Sequence, residues 1–149
     1  MYKAILVEDE IIIRENVRDN FPWQEHGLVL AGEAADGESA LQIIEDVRPQ
    51  VVITDIKMPF LSGLELSRIV RQQMPWVKIV IMTVHDEFEL AQQALKIGVT
   101  DYLLKPIGLS DLSVSLKAVV GHIQEEEQEL ENIERLQTET EINKNYLKN

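Results

Sequence analysis

Cysteine is absent from this chain of 149 residues, which excludes disulfide frameworks and thiolate metal sites and makes a reducing compartment the natural setting. No apolar run approaches the roughly 20 residues needed to cross a bilayer. The amino terminus MYKAILVEDE turns acidic before a signal-peptide core could form, so the expected location is cytoplasmic, without a membrane partner. Basic charge is scarce: 14 Lys and Arg stand against 26 Asp and Glu, for a net charge of -12. That balance repels nucleic acid and anionic membranes at long range, and no basic recognition helix is present. Neither GxGxxG nor GxxxxGK[ST] occurs, which removes the usual backbone cradles for nucleotide phosphates.

What is present is enough apolar residue, 45%, for one well-buried domain with an appendage. Strand-like runs KAILV, VLAGEA, VVIT, KIVIM and DYLL alternate with helical patterns. The helices are expected from about Ile11 to Phe21, from Asp36-Gly37 to Pro49, from about Leu64 to Gln73, from Asp86 to Ile97 with Gly98 closing it, and from a cap at Ser110 onward. Pro22 and Gly27 interrupt the chain before the second strand. VVIT is nearly continuous in β-branched residues, as suits a central parallel strand buried on both faces. Five strands and five helices predict an α/β fold: a doubly wound, five-stranded parallel sheet in the order 2-1-3-4-5, sandwiched between helices. The chain reverses direction between the first and third strands, and a crevice belongs there.

From Glu125 onward the chain has eight acidic and three basic residues, few turn formers and no strand pattern, so the fifth helix is expected to run on out of the globule. Leu112, Leu116, Val119, Ile123, Leu130, Ile133 and Leu147 fit alternating heptad core positions, but Glu126, Gln137, Thr140 and Lys144 take the others. A solvated extension and a dimerising coiled coil or signalling helix both fit. The division expected is residues 1–121 as the domain and 122–149 as the acidic helical extension.

The strand ends carry the chemistry. Glu8 and Asp9 follow the first strand, Asp55 the third, Thr83 ends the fourth, and Lys105 with Pro106 follows the fifth. Converging carboxylates suit Mg²⁺, which keeps several waters and needs few protein oxygens. Asp9 and Asp55 are candidates for direct ligation, Glu8 through water. Asp55 follows a buried-type strand, where an unpaired carboxylate would be costly, so it is expected to point into the crevice. An isolated acidic pair is often merely solvated, Thr83 equally suits a strand as a β-branched residue, and most lysines are surface solubilisers; it is their company that points to a metal and phosphoryl site. Lys105 before Pro106 is restricted to extended backbone, the peptide bond between them is a cis candidate, and a kink there would aim the ammonium at the crevice.

LVEDE, ITDIKMPFLSG, IVIMT and DYLLKP, in that order, resemble the response-regulator receiver domain of two-component systems, the CheY-like fold. The resemblance covers about residues 2 to 121. It implies a phosphorylation-dependent signalling switch rather than an enzyme, with self-catalysed phosphotransfer and dephosphorylation. By the same resemblance Asp55 is the phosphoacceptor for a sensor histidine kinase. Glu8, Asp9, Asp55 and the Lys57 backbone carbonyl would hold Mg²⁺, Thr83 and Lys105 would contact phosphoryl oxygens, and Tyr102 would be the switch aromatic. Phosphorylation would shift the surface of the fourth helix, fifth strand and fifth helix, favouring a homodimer or a reoriented output. The segment FPWQEHGLVLAGEA, with Trp23 and Gly27, is similar to a subgroup whose output is an AraC-type helix-turn-helix domain. DNA would then be bound only through an output domain beyond these residues, with transcription as the regulated process.

Val84 departs from the family pattern, which usually has a very small residue there. Lys57 and His85 stand two residues after Asp55 and Thr83, and with Val84 form a rim expected to lengthen the lifetime of the aspartyl phosphate. A solvated loop histidine is an equally good reading of His85. The rival from another class is a Mg²⁺-dependent phosphatase working through an aspartyl phosphate; such enzymes place an acid two residues after the nucleophile, where this chain has Lys57.

Overall fold

The computed structural model describes residues 1–147, with side chains as far as residue 144. Five strands form one parallel sheet: β1 (Tyr2–Val7), β2 (Leu28–Ala34), β3 (Val51–Thr54), β4 (Lys78–Thr83) and β5 (Asp101–Leu104). Their order is 2-1-3-4-5, as the sequence predicts. Five α-helices connect and cover them: α1 (Ile11–Asn20), α2 (Gly37–Val47), α3 (Gly63–Gln73), α4 (Phe88–Ile97) and α5 (Leu109–Leu147).

The alternation of side chains along a strand divides the core in two. On one face Ala4 and Leu6 of β1 pack with Ile53, Val80, Val17 and Phe21, and with Leu112, Leu116 and Val119 of α5. On the other, Ile5 and Val7 pack with Val52, Ile79, Ile81 and the apolar sides of α2, α3 and α4, including Ile44, Leu66 and Ala94. Each fully buried Leu or Ile contributes about 2 kcal/mol by removal from water. Covering both faces forces β3 to be apolar throughout, and all four of its residues are buried.

Local signals set most boundaries. Asp36 caps α2 by accepting from the Ser39 N–H, and Ser62 caps α3 through the Glu65 N–H. Gly98 closes α4 at φ 91, a left-handed conformation that glycine adopts without penalty. Three expectations need correction. Ser110 is not a cap, because α5 already begins at Leu109 and Ser110 lies inside its first turn. α4 starts at Phe88 rather than Asp86; Glu87 is still extended at its N-cap. Between Pro22 and Gly27 the chain is not merely interrupted but forms a short 3-10 turn, Gln24–His26, ending on Gly27 at φ 72. Trp23 packs edge-on against Phe21 at 4.8 Å, its indole donating to the Arg18 carbonyl.

α5 is one continuous helix of 39 residues, about 60 Å long at the usual rise. Its first half belongs to the core, with Leu112, Leu116, Val119 and Ile123 all buried. Leu130 and Ile133, which continue the pattern, are 57% and 52% exposed. The side chain of Leu147, the last expected core position, lies outside the described residues. Among the described residues, no helix is long and apolar enough to cross a membrane.

Candidate functional site

Parallel pairing brings the strand ends level. Val7 pairs with Thr54, so Glu8 and Asp9 leave β1 beside Asp55, while Thr83 pairs with Leu104 and lies beside Lys105. Oxygens of Glu8, Asp9 and Asp55 all lie within 4.8 Å of one another. The ammonium of Lys105 closes the group, 3.0 Å from Asp55 Oδ2 and donating to Glu8 Oε1. The Lys105–Pro106 peptide bond is cis.

Gly63 is what permits β3 and α3 to meet so closely. A Cβ there would lie 1.8 Å from the Asp55 carbonyl oxygen, and the Gly63 N–H donates to the Ile56 carbonyl at 2.6 Å. Asp55 is held in turn by the Ile56 N–H, 2.7 Å from its Oδ1. The Glu8 carbonyl accepts from Arg14 at 2.7 Å, which ties the acidic turn to α1.

Burial makes this cluster electrostatically costly. Glu8 is fully buried, Asp55 nearly so, and the Lys105 side chain is 7% exposed, while Asp9 faces solvent. Desolvation pushes the Glu8 carboxyl up to about 7, with the Asp55 charge adding to it and Lys105 opposing. For Lys105, burial acts against the charge, but its bonds to Glu8 and Asp55 outweigh burial and raise its pKa, so the ammonium persists. Three carboxyl groups sharing one ammonium leave an excess of negative charge. An all-oxygen donor set of that kind fits a hard divalent cation such as Mg²⁺.

The remaining residues singled out from sequence lie around this group. Thr83 is buried, and its hydroxyl oxygen accepts from the His85 N–H at 3.2 Å. Tyr102 is half-buried against the α4 side of the core and donates from its hydroxyl to the His85 carbonyl at 2.6 Å. Its phenol is pushed up by burial and by the nearby Asp86, Glu87 and Asp55. Val84 is 60% exposed, and the Lys57 side chain extends outward rather than onto Asp55. Lys57 Nζ lies 4.0 Å and His85 Nδ1 3.9 Å from the same oxygen of Glu87. Sequence reading missed Glu87 and Arg14, since a charged residue in a loop or on a helix carries no signal of which loop it will meet.

A family model described as response regulator receiver domain matches residues 4–117. The transcriptional regulatory protein YesN of Bacillus subtilis is 36% identical over 127 residues, covering 85% of this chain and 34% of that protein. HptR, a transcriptional regulatory protein of Staphylococcus aureus, is 33% identical, covering 85% of this chain and 50% of its own length. The chain thus spans a third to a half of these curated relatives. Among solved structures, the REC domain of AraT, a response regulator from Geobacillus stearothermophilus, superposes with a TM-score of 0.80 at 35% identity, covering 85% of this chain and 98% of that one. The chain belongs to the response regulator receiver domain family.

Proposed function

We propose that the chain is the phosphoacceptor module of a transcriptional response regulator and takes a phosphoryl group onto Asp55 from the phosphohistidine of a sensor kinase. The observation that carries this reading is the Lys105 ammonium bridging Asp55 and Glu8, two of three carboxylates whose oxygens lie within 4.8 Å of one another. An Asp55 carboxylate oxygen attacks phosphorus, the P–N bond breaks, and its electron pair stays on the donor imidazole. Lys105 and the Thr83 hydroxyl take phosphoryl oxygens. Glu8, Asp9, Asp55 and the Lys57 carbonyl would hold Mg²⁺, whose charge neutralises the incoming phosphoryl oxygens. An apolar groove between α1 and Pro106, with Ile12 80% exposed on its lip, supports docking of a helical donor beside Lys105.

Moving Thr83 toward a phosphoryl group would pull on His85, whose backbone also binds Tyr102, and so change the α4-β5-α5 surface. Residues 1–121 act as the cytoplasmic receiver and 122–149 as the output linker. The switched surface favours a homodimer, and DNA is contacted only by an output domain. Lys57, Val84 and His85 set the phosphoryl lifetime from the rim. The phosphatase alternative lacks its acid two residues after the nucleophile, where Lys57 stands.

Incubation with Mg²⁺ and acetyl phosphate, followed by intact mass measurement, tests the assignment. One phosphoryl group is expected on the native chain and none on Asp55→Ala. A gain on both proteins would remove Asp55 from the role.

A further inference from the structure

The edge of the sheet opposite the crevice holds the long helix in an unusual way. Among the described residues, Ile123 is the last buried one of α5. The next positions that face the sheet, three and four residues on, would carry apolar side chains if the packed stripe continued. They are Glu126 and Glu127. Lys78 Nζ at the start of β4 donates to Glu126 Oε1 at 2.5 Å, and the Tyr2 hydroxyl at the start of β1 donates to Glu127 Oε2 at 2.6 Å. The Lys78 side chain is only 18% exposed, so its ammonium is confined beside the helix rather than free in solvent. The Glu127 bond also raises the Tyr2 pKa, keeping the hydroxyl a donor. Beyond this point about 30 Å of helix, at ~1.5 Å per residue, runs on from the domain.

We infer that Glu126 and Glu127 form a two-point polar latch that aims the extended helix, replacing hydrophobic packing where the apolar stripe ends. Two contacts to different strands restrain both the tilt and the rotation of the helix at the point where its buried stripe ends. The same two strands end at the crevice, β1 before Glu8 and Asp9 and β4 at Thr83. The helix is therefore gripped by elements that carry the site at their other ends.

The absence of native cysteine allows spin labels to be introduced cleanly at two exposed positions, Glu45→Cys on α2 and Gln137→Cys on the extension. Pulsed dipolar spectroscopy on the full chain is expected to give one narrow distance distribution. Lys78→Ala combined with Tyr2→Phe should at least double its width. Because that double variant could also loosen the fold, the charge exchange Lys78→Glu with Glu126→Lys supplies a second arm. Lys78→Glu alone should broaden the distribution and the exchange should narrow it again. An unchanged width in the double variant, or an exchange as broad as Lys78→Glu alone, would overturn the latch. Neither result depends on phosphoryl transfer at Asp55.

Discussion

Glu8 and Glu126 each face a lysine, one at the carboxyl edge of the sheet and the other at its amino edge. Glu8 and Lys105 are 0% and 7% exposed, whereas Glu126 and Lys78 are 57% and 18% exposed. The first pair has lost its water and shares its surroundings with Asp55, so its protonation state and the stability of the domain depend on each other. The second keeps solvent around the carboxylate, and screening limits what it can contribute to folding. One pair of residue types is thus a poised chemical group in one place and a positioning contact in the other, and desolvation makes the difference.

The sharpest way to break this comparison is to remove one partner of the buried pair. Lys105→Ala leaves Glu8 and Asp55 facing each other without their cation, and urea denaturation of the metal-free protein should show a loss of about 3 kcal/mol above pH 7. The loss should shrink near pH 5, where Glu8 takes up a proton and the repulsion falls. An equal loss at both pH values would mean that Glu8 is ionised throughout.

Glu8 also gives the metal-free domain its own pH dependence. Its carboxyl titrates at about 7 in the folded chain against 4.5 for the ordinary group, so the unfolded state releases this proton first. Stability from this group is complete below pH 4.5 and is lost as pH rises through 7, to a total of about 3 kcal/mol. Glu8→Gln should flatten the stability profile across that window. A native profile that rises from about pH 5 to pH 8 by a similar amount would reverse the sign and refute the assignment.

The two edges were not equally legible. Strand order and the convergence of Glu8, Asp9, Asp55, Thr83 and Lys105 follow from hydrophobic period and the geometry of parallel sheets, which act over whole segments, while the run-on of the last helix was read from its charge and its lack of turn formers. The Ser110 cap failed because the helix starts one residue earlier: the Gly108 carbonyl accepts from the N–H groups of Asp111 and Leu112, which makes Gly108 the residue that precedes the first turn and places Ser110 inside it. Glu87 over Lys57, and Lys78 against Glu126, were invisible because each joins loops or ends far apart in sequence, and charged residues occur on every solvated surface. The burial of Glu8 beside an exposed Asp9 was likewise closed to composition: adjacent residues leaving a strand point to opposite sides, and only the fold decides which side is wet.

At the amino edge the effect on folding should be small. Lys78→Ala is expected to cost under about 1 kcal/mol and to leave acetyl phosphate labelling of Asp55 unchanged, as measured by denaturation and intact mass. A larger cost would mean that the Lys78–Glu126 pair is desolvated more than its exposure indicates.

The smallest effect belongs to the extension itself. Ile133 is half-exposed, so Ile133→Ala in a monomer should change stability by less than about 0.5 kcal/mol. If the extension instead paired in a parallel two-stranded coil, Ile133 would be a core residue, and its truncation would cost about 2 kcal/mol or more and make unfolding concentration-dependent. The heptad that places Leu130 and Ile133 in such a core also puts Glu126, Gln137, Thr140 and Lys144 there, with Glu127, Glu134 and Glu141 along its flank. In a parallel pair Glu134 would face Glu129 of the second copy, and Glu127 and Glu141 would face His122 and Leu136 rather than a lysine or arginine, so unphosphorylated protein should sediment as a monomer at micromolar concentration. Self-association through the extension then needs the two domains to be brought together first, and comparing sedimentation with and without beryllofluoride shows whether a phosphoryl mimic at Asp55 does so.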